Sequence, residues 1–230
     1  MTPKARRARE REVMRRKILD AARALFARSG YEAVTLRRIA EAIEYAPMAI
    51  YTYFPDKQTL IEEMLEEDFR AFAVAFTHAA TISDPIERIK NAGQAYLRFA
   101  ATYPNHYQMI FLTRPPAEGS CAASKEGRPA EASYAFLRDA VAQAIAAGAF
   151  RPAWSDPEEV AQTLWAGVHG VASLYILTCA DHEAVRWIGF ERASRTMLDA
   201  LMCGLLRETC PERKRVRSGP RRLPVKGRPR

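Results

Sequence analysis

Two stretches of this chain carry residues whose types and spacing could do chemistry. The first runs from Thr35 to Phe54 and is followed by Lys57. Pro47 suits the first position of a helix, where its missing N–H costs nothing, and Ile50 and Phe54, four apart, would then turn inward together. Ala49, Tyr51, Thr52 and Tyr53 fall on or beside the outer face. They offer small surfaces, a hydroxyl and two phenols, groups that bond to base edges and phosphates. A short helix of this kind, braced by a second one, is what the major groove of B-DNA admits. Lys57 sits in the first turn of the next helix, where N–H groups and the positive dipole end already favour a phosphate. The second stretch, Trp165-Ala-Gly167-Val-His169-Gly170, sets an imidazole four residues from an indole inside the most apolar segment of the chain. No cysteine, histidine or carboxylate stands at ligand spacing from His169, so no metal and no cofactor are expected. The imidazole is either a core group satisfied by one internal hydrogen bond or a contact to a ligand.

The elements that position these groups read as helices. Thr35 caps a helix whose apolar face is Leu36, Ile39, Ala40 and Ile43, and Glu44-Tyr45-Ala46 breaks its rhythm. Upstream, Ile18, Ala21, Ala22, Leu25 and Phe26 mark a helix from Val13 to Ser29 that Gly30 ends. Asp56 caps a long helix to about His78, with Leu60, Ile61, Met64, Leu65, Phe69, Phe72 and Phe76 inward. Asp84-Pro-Ile-Glu87 and Asp156-Pro-Glu-Glu159 are capping boxes with Pro at the first helical position. The first opens a helix ending near Tyr103-Pro104, followed by a short one through Leu112. Thr113 to Pro129 reads as a surface loop, and periodicity resumes from about Ala130 to Gly148. The second box opens the apolar helix Val160 to Cys179, and a last helix runs from near Asp181 to about Arg207. The fold class is all-α, with about nine helices.

The formal charge of +8 is unevenly placed: residues 1–17 carry +6 and 211–230 carry +8, leaving 18–210 at −6. An acidic body with basic ends fits polyanion-touching arms better than a uniformly basic surface. Residues 1–11 are either a frayed, solubilising terminus or an arm for phosphate or minor-groove contacts. The tail beyond Pro211 is either a nonspecific DNA attractor with salt-sensitive affinity or a solubilising appendage. Cys121, Cys179, Cys203 and Cys210 are too few and scattered for a disulfide framework or zinc site, and thiols in a reducing cytoplasm are expected. The basic N-terminus has no apolar run behind it, so no signal peptide is expected. The longest apolar stretch, Leu164 to Cys179, is shorter than a bilayer needs and contains His169, so no membrane span is expected. The expected location is the cytoplasm.

Thr35-Leu-Arg-Arg-Ile-Ala40 followed by Ala49-Ile-Tyr51-Thr-Tyr53-Phe-Pro-Asp-Lys57-Gln-Thr-Leu60 resembles the helix-turn-helix of the TetR/AcrR family of transcriptional regulators. Ile18 to Phe26 and Ser29-Gly30-Tyr31 match that family's first helix and its ending. The resemblance covers roughly Glu12 to Phe72. Members usually carry Gly in the turn and Ser or Thr as cap of the second helix. Here Glu44 and Ala46 stand there, which predicts a slightly reshaped turn and a missing or displaced cap oxygen. Trp165 to Gly170 resembles the Trp-His-Gly signature in the C-terminal domain of one subgroup.

The resemblance implies a DNA-binding domain over 12–72, with the helix-turn-helix at 35–54, a ligand-binding and dimerisation domain over 73–210, and a basic tail over 211–230. It implies a regulator, not an enzyme, and a repressor of a palindromic operator released by a small effector. Pro47, Met48, Ala49, Tyr51, Thr52 and Tyr53 would approach bases or phosphates. Thr35 and Lys57 would clamp the backbone, and Arg37 could make a bidentate contact to guanine. Tyr96, Phe99, Tyr107, Met109, Phe111, Trp165, His169 and Tyr175 are the candidate lining of a cavity for an apolar or aromatic molecule with one polar handle. Such a stripe is also what any helical core yields. The last two helices would pair with their symmetry mates in a homodimer. An all-helical enzyme using His169 and a ligand-free architectural DNA binder are the rival readings.

Overall fold

The computed structural model describes residues 2–113, 129–178 and 188–207. Among them are ten helices and no strand: α1 (Pro3–Ser29), α2 (Leu36–Ala42), α3 (Pro47–Tyr51), α4 (Lys57–Val74), α5 (Thr77–Ala80), α6 (Pro85–Thr102), α7 (Pro104–Phe111), α8 (Pro129–Ala146), α9 (Pro157–Thr178) and α10 (Phe190–Leu205). The loop expected up to Pro129, the start of the last helix near Asp181, Trp187 and the basic tail fall largely or wholly outside the described residues.

Most helix starts follow from local chemistry. The Thr35 hydroxyl accepts from the Arg38 N–H at 3.2 Å, Asp56 from Thr59 at 2.7 Å, and Asp156 from Glu158 at 2.9 Å. Asp84 accepts from Ile86 and Glu87, while the Glu87 carboxylate turns to Lys90 at 2.7 Å rather than closing a reciprocal box. Several boundaries differ from expectation; α10 begins only at Phe190, after Gly189 at φ of +82°, instead of running continuously from near Asp181. α1 begins at Pro3, not near Val13, because the Thr2 hydroxyl accepts from the Ala5 N–H and the residues between are strong helix formers that need no core to stay helical. The helix expected to reach His78 stops at Val74, where Ala75 and Phe76 donate to carbonyls three residues back and tighten the chain into the turn that starts α5. That extra element makes ten helices rather than nine.

α1, α2, α3 and the start of α4 close on one core. Ile18, Leu19, Phe26, Ile39, Ile50, Phe54, Leu60 and Met64 are each at most 1% exposed. Burying a side chain of this size contributes about 1.5–3 kcal/mol, so each of these positions is stringent. Met109 of α7 completes the same cluster.

The other half packs α6, α8, α9 and α10 around Val141, Ala144, Val160 and Leu164, with a second cluster about Phe72, Tyr96, Phe99 and Tyr107. α10 lies very close to α9: a Cβ at Gly167 would sit 2.5 Å from Leu201 Cδ1. An isolated bridge, Phe150 to Leu206, ties the end of α8 to the end of α10. By length and composition Pro157–Leu177 could cross a membrane, a longer candidate than the stretch expected from Leu164 onward. In this fold the helix is packed on one side by α6, α8 and α10. Cys203 is disulfide-bonded, which corrects the expectation of a thiol there.

The two halves meet at buried charge. Arg23 of α1, 2% exposed, donates through Nε to Asp68 of α4 at 2.7 Å, through Nη1 to Asp20 at 2.7 Å and through Nη2 to Glu67 at 2.5 Å. His106 of α7 brings Nδ1 within 2.9 Å of the same Asp68 oxygen, off hydrogen-bond angle, and Asp68 Oδ2 has no hydrogen-bond partner among the described residues. Gln108 of α7 donates to the Ala27 carbonyl at 2.7 Å. α7 is thus fastened to α1 and α4 together.

Candidate nucleic-acid interface and ligand cavity

The turn between α2 and α3 contains a left-handed residue: Glu44 has φ of +61°. Glu44 adopts the backbone that glycine takes without strain, at a cost of about 1–2 kcal/mol. Ala46 caps α3 in extended geometry with no side-chain bond, so the cap oxygen is absent.

α3 is one residue pair shorter than the expected outward helix. It ends at Tyr51, with Thr52 as its C-cap and the Thr52 hydroxyl donating to the Ala49 carbonyl at 2.7 Å. Ile50 and Phe54 are buried beneath it. Met48 is 75% and Tyr51 50% exposed, Pro47 and Thr52 are exposed, and Ala49 and Tyr53 are half-buried. Arg37, on the exposed side of α2, holds Glu41 through Nε at 3.0 Å, which leaves other guanidinium donors outward. Thr35 uses its oxygen as a cap but keeps its hydroxyl proton. Lys57 is placed differently from a free clamp. Its ammonium donates to the Tyr31 carbonyl at 2.6 Å and lies 3.9 Å from the centroid of the Tyr31 ring, and burial lowers its pKa.

One participant escaped the sequence reading. Arg11 of α1 donates to the Thr52 carbonyl at 3.4 Å and stacks 5.7 Å from the Tyr53 ring centroid. Its only signal was membership of a basic run.

A cavity of about 240 Å³ lies in the larger half, walled by α4, α6, α7, α8, α9 and α10. Phe69 and Phe72 of α4 and Phe76, the N-cap of α5, form one side, and Ile89, Ala92, Leu164 and Met202 are among the rest. Of the expected lining, Tyr96, Phe111 and Trp165 face it. Phe99, Tyr107 and His169 pack outside the lining set, Met109 belongs to the core of the smaller half, and Tyr175 stacks on Phe190 with centroids 4.4 Å apart. Phe69, Phe72 and Phe76 were legible as an inward stripe, but periodicity cannot tell a packed face from a cavity wall.

His169 is satisfied from within. The Tyr107 hydroxyl lies 2.7 Å and the Tyr96 hydroxyl 3.0 Å from Nδ1, and the two hydroxyls are 3.2 Å apart. One consistent pattern has Tyr107 donating to Nδ1 and Tyr96 donating to Tyr107, with the imidazole proton on Nε2. Desolvation lowers the His169 pKa, pushes Tyr96 up to about 12 and raises Tyr107. All three are neutral near pH 7, so the cluster offers hydrogen bonds and no activated nucleophile. Among the described residues no group of three or more His, Cys, Asp or Glu side chains could hold a metal ion.

These features coincide with known proteins. A model of bacterial regulatory proteins, tetR family, matches residues 18–64, and one of the tetracyclin repressor-like C-terminal domain matches 89–187. The chain belongs to the TetR family. That family is one of regulatory proteins, so the enzyme reading is set aside. The HTH-type transcriptional repressor KstR of Rhodococcus jostii is 44% identical over 55 residues, 24% of this chain and 26% of that one. The match thus spans about a quarter of the curated repressor's length. The ketosteroid transcriptional regulator KstR2 of Mycobacterium tuberculosis superimposes with a TM-score of 0.65 at 17% identity, covering 85% of this chain and 96% of its own. The structure of AibR in complex with isovaleryl coenzyme A and operator DNA gives a TM-score of 0.65 at 20% identity, covering 82% and 97%.

Proposed function

We propose that this TetR-family chain is a cytoplasmic, sequence-specific transcriptional repressor that binds a palindromic operator as a homodimer and is released by a small effector. The observation that carries this reading is α3. Its Ile50 anchor is buried while Met48, Tyr51 and Thr52 stand in solvent, the arrangement a groove-reading helix requires. Pro47, Met48, Ala49, Tyr51, Thr52 and Tyr53 read or position the duplex, Thr35 and Lys57 hold phosphates, and Arg37 contacts guanine. Supporting the dimer, α9 leaves Leu174 and Leu177 52% and 62% exposed, and Gly170 has open space beside it. Apolar surface of that kind on a helix face suits a second copy.

The effector is small and apolar or aromatic. The cavity is below the roughly 300–1,000 Å³ of drug-sized pockets, and the Tyr96 hydroxyl on its wall supplies one polar handle. KstR2 is a ketosteroid transcriptional regulator and AibR is seen with isovaleryl coenzyme A on the same fold, and a tail-first entry of such a molecule would suit the space here. Release works through α4, which starts in the DNA-binding half and ends in the cavity wall. A ligand that fits one α4 position better shifts the spacing of the two heads, and both recognition helices must fit one duplex together.

Selection of duplexes from a random pool, followed by affinity measurements on Tyr51→Phe, Lys57→Ala and Arg37→Ala, tests the assignment. Each substitution should weaken operator binding, with Arg37→Ala relaxing preference at one base pair by about 1–3 kcal/mol. Three variants that bind like the unaltered protein would remove the assigned face.

A further inference from the structure

The first eleven residues of α1 belong to no core. From Pro3 to Val13 every residue is exposed, yet the segment is one helix with the rest of α1. It carries Lys4, Arg6, Arg7, Arg9 and Arg11 against Glu10 and Glu12. Arg6 is in an exposed pair with Glu10 at 3.6 Å, whereas Lys4 and Arg7 have no partner among the described residues. Lys4, Arg7 and Arg11 recur at intervals of three and four and therefore share one face.

The position of that face is set at its base. Arg11 bonds the carbonyl of Thr52, the C-cap of the recognition helix, and stacks on Tyr53. Farther along α1, Lys17 donates to the Ile43 carbonyl at 3.3 Å and lies over the Tyr45 ring. α1 is thus anchored at both ends of the turn-and-helix unit, and the cationic stripe starts at the edge of the reading surface and runs outward.

We infer that Lys4, Arg7 and Arg11 form a rigid phosphate-tracking rail that extends the duplex DNA footprint of each protomer beyond its recognition helix. The inference rests on the DNA-binding reading above. Seven residues of helix rise about 10.5 Å, and one strand of B-DNA carries a phosphate about every 3.4 Å of axis, so the stripe spans about three phosphates. A preformed helix also surrenders less freedom on binding than a flexible arm would. An anionic membrane fits poorly, because the exposed segment has only Pro3, Ala5, Ala8 and Val13 as apolar residues and an interfacial helix needs a broad apolar face.

The test uses the full chain and a duplex that it selects from a random pool. Lys4→Ala/Arg7→Ala keeps the Arg11 contacts to α3 and introduces only the best helix former. Affinity is measured across a salt series for both proteins. The variant should show a salt slope shallower by about 0.9 for each lost phosphate contact, or about 3.6 for a dimer losing both in each protomer. Its affinity should fall tenfold or more at low salt while its preference for the selected duplex over a scrambled one stays constant, since phosphates carry no sequence information. Lys4→Glu/Arg7→Glu should weaken binding further. An unchanged slope and affinity in both variants, or a lost preference at constant slope, would overturn the rail. So would binding to phosphatidylserine vesicles that the variants lose while their DNA slope stays intact. If the unaltered chain selects no duplex at all, the regulator reading itself fails and the rail falls with it.

Discussion

The two halves of this chain use the same helical, aromatic-rich material in opposite ways. The DNA-binding half seals Ile18, Phe26, Ile39, Ile50 and Phe54 in one core and shows Met48, Tyr51 and Thr52 outward at α3. The larger half sets aromatic side chains from α4, α6, α7 and α9 around empty space. The difference teaches that a sealed core serves positioning, because a recognition helix must hold its geometry, whereas an underfilled one serves response, because a void lets a ligand stabilise one arrangement over another. The seam between them is ionic, and α7 is fastened to both sides.

The contrast breaks most severely at that seam. Arg23→Ala leaves Asp68 buried without its principal counter-charge, and a loss of about 3–5 kcal/mol is expected in urea unfolding. Next comes a matched pair of enlargements. Ala22→Leu, in the sealed half, should cost about 1–3 kcal/mol, whereas Ala92→Leu, at the cavity wall, should stay within about 1 kcal/mol of the unaltered protein and blunt effector-induced release from DNA. Equal costs would mean the cavity is not available space. Smaller still, Glu44→Gly relieves left-handed strain but surrenders chain entropy, for a net gain of about 0.5–1 kcal/mol in thermal unfolding.

The mildest test is a pH profile. Desolvation lowers the His169 pKa below its ordinary 6.5, so the unfolded chain binds the proton more readily than the folded one. The contribution is fully present above about 6.5 and is lost as pH falls below it. Against His169→Gln, the unaltered protein should therefore show the steeper loss of stability on acidification in that window. Parallel profiles would mean that the imidazole is solvated rather than held by Tyr96 and Tyr107.

Much of this was legible before any coordinates. Thr35, Pro47, Asp56, Asp84 and Asp156 announce helix starts because capping acts within three residues, and the spacing of Ile39, Ile50, Phe54 and Leu60 marks inward faces. The run of α1 back to Pro3 was missed because its helix is stabilised by propensity and an N-cap, without the apolar period that signals burial. The end of α4 at Val74 was missed because Phe76 continues the stripe that the backbone abandons.

By itself the sequence determined the element types, most of their starts, the outward character of Tyr51 and Thr52, and the family to which the chain belongs, all properties written in contacts between near neighbours along the chain. The tertiary structure alone decided that Phe69 and Phe76 wall a cavity while Met109 joins the other core, that Arg23 is buried among three carboxylates, and that His169 is held by Tyr96 and Tyr107. Those outcomes depend on which faces of distant helices meet, and a periodic pattern specifies a face without naming its partner.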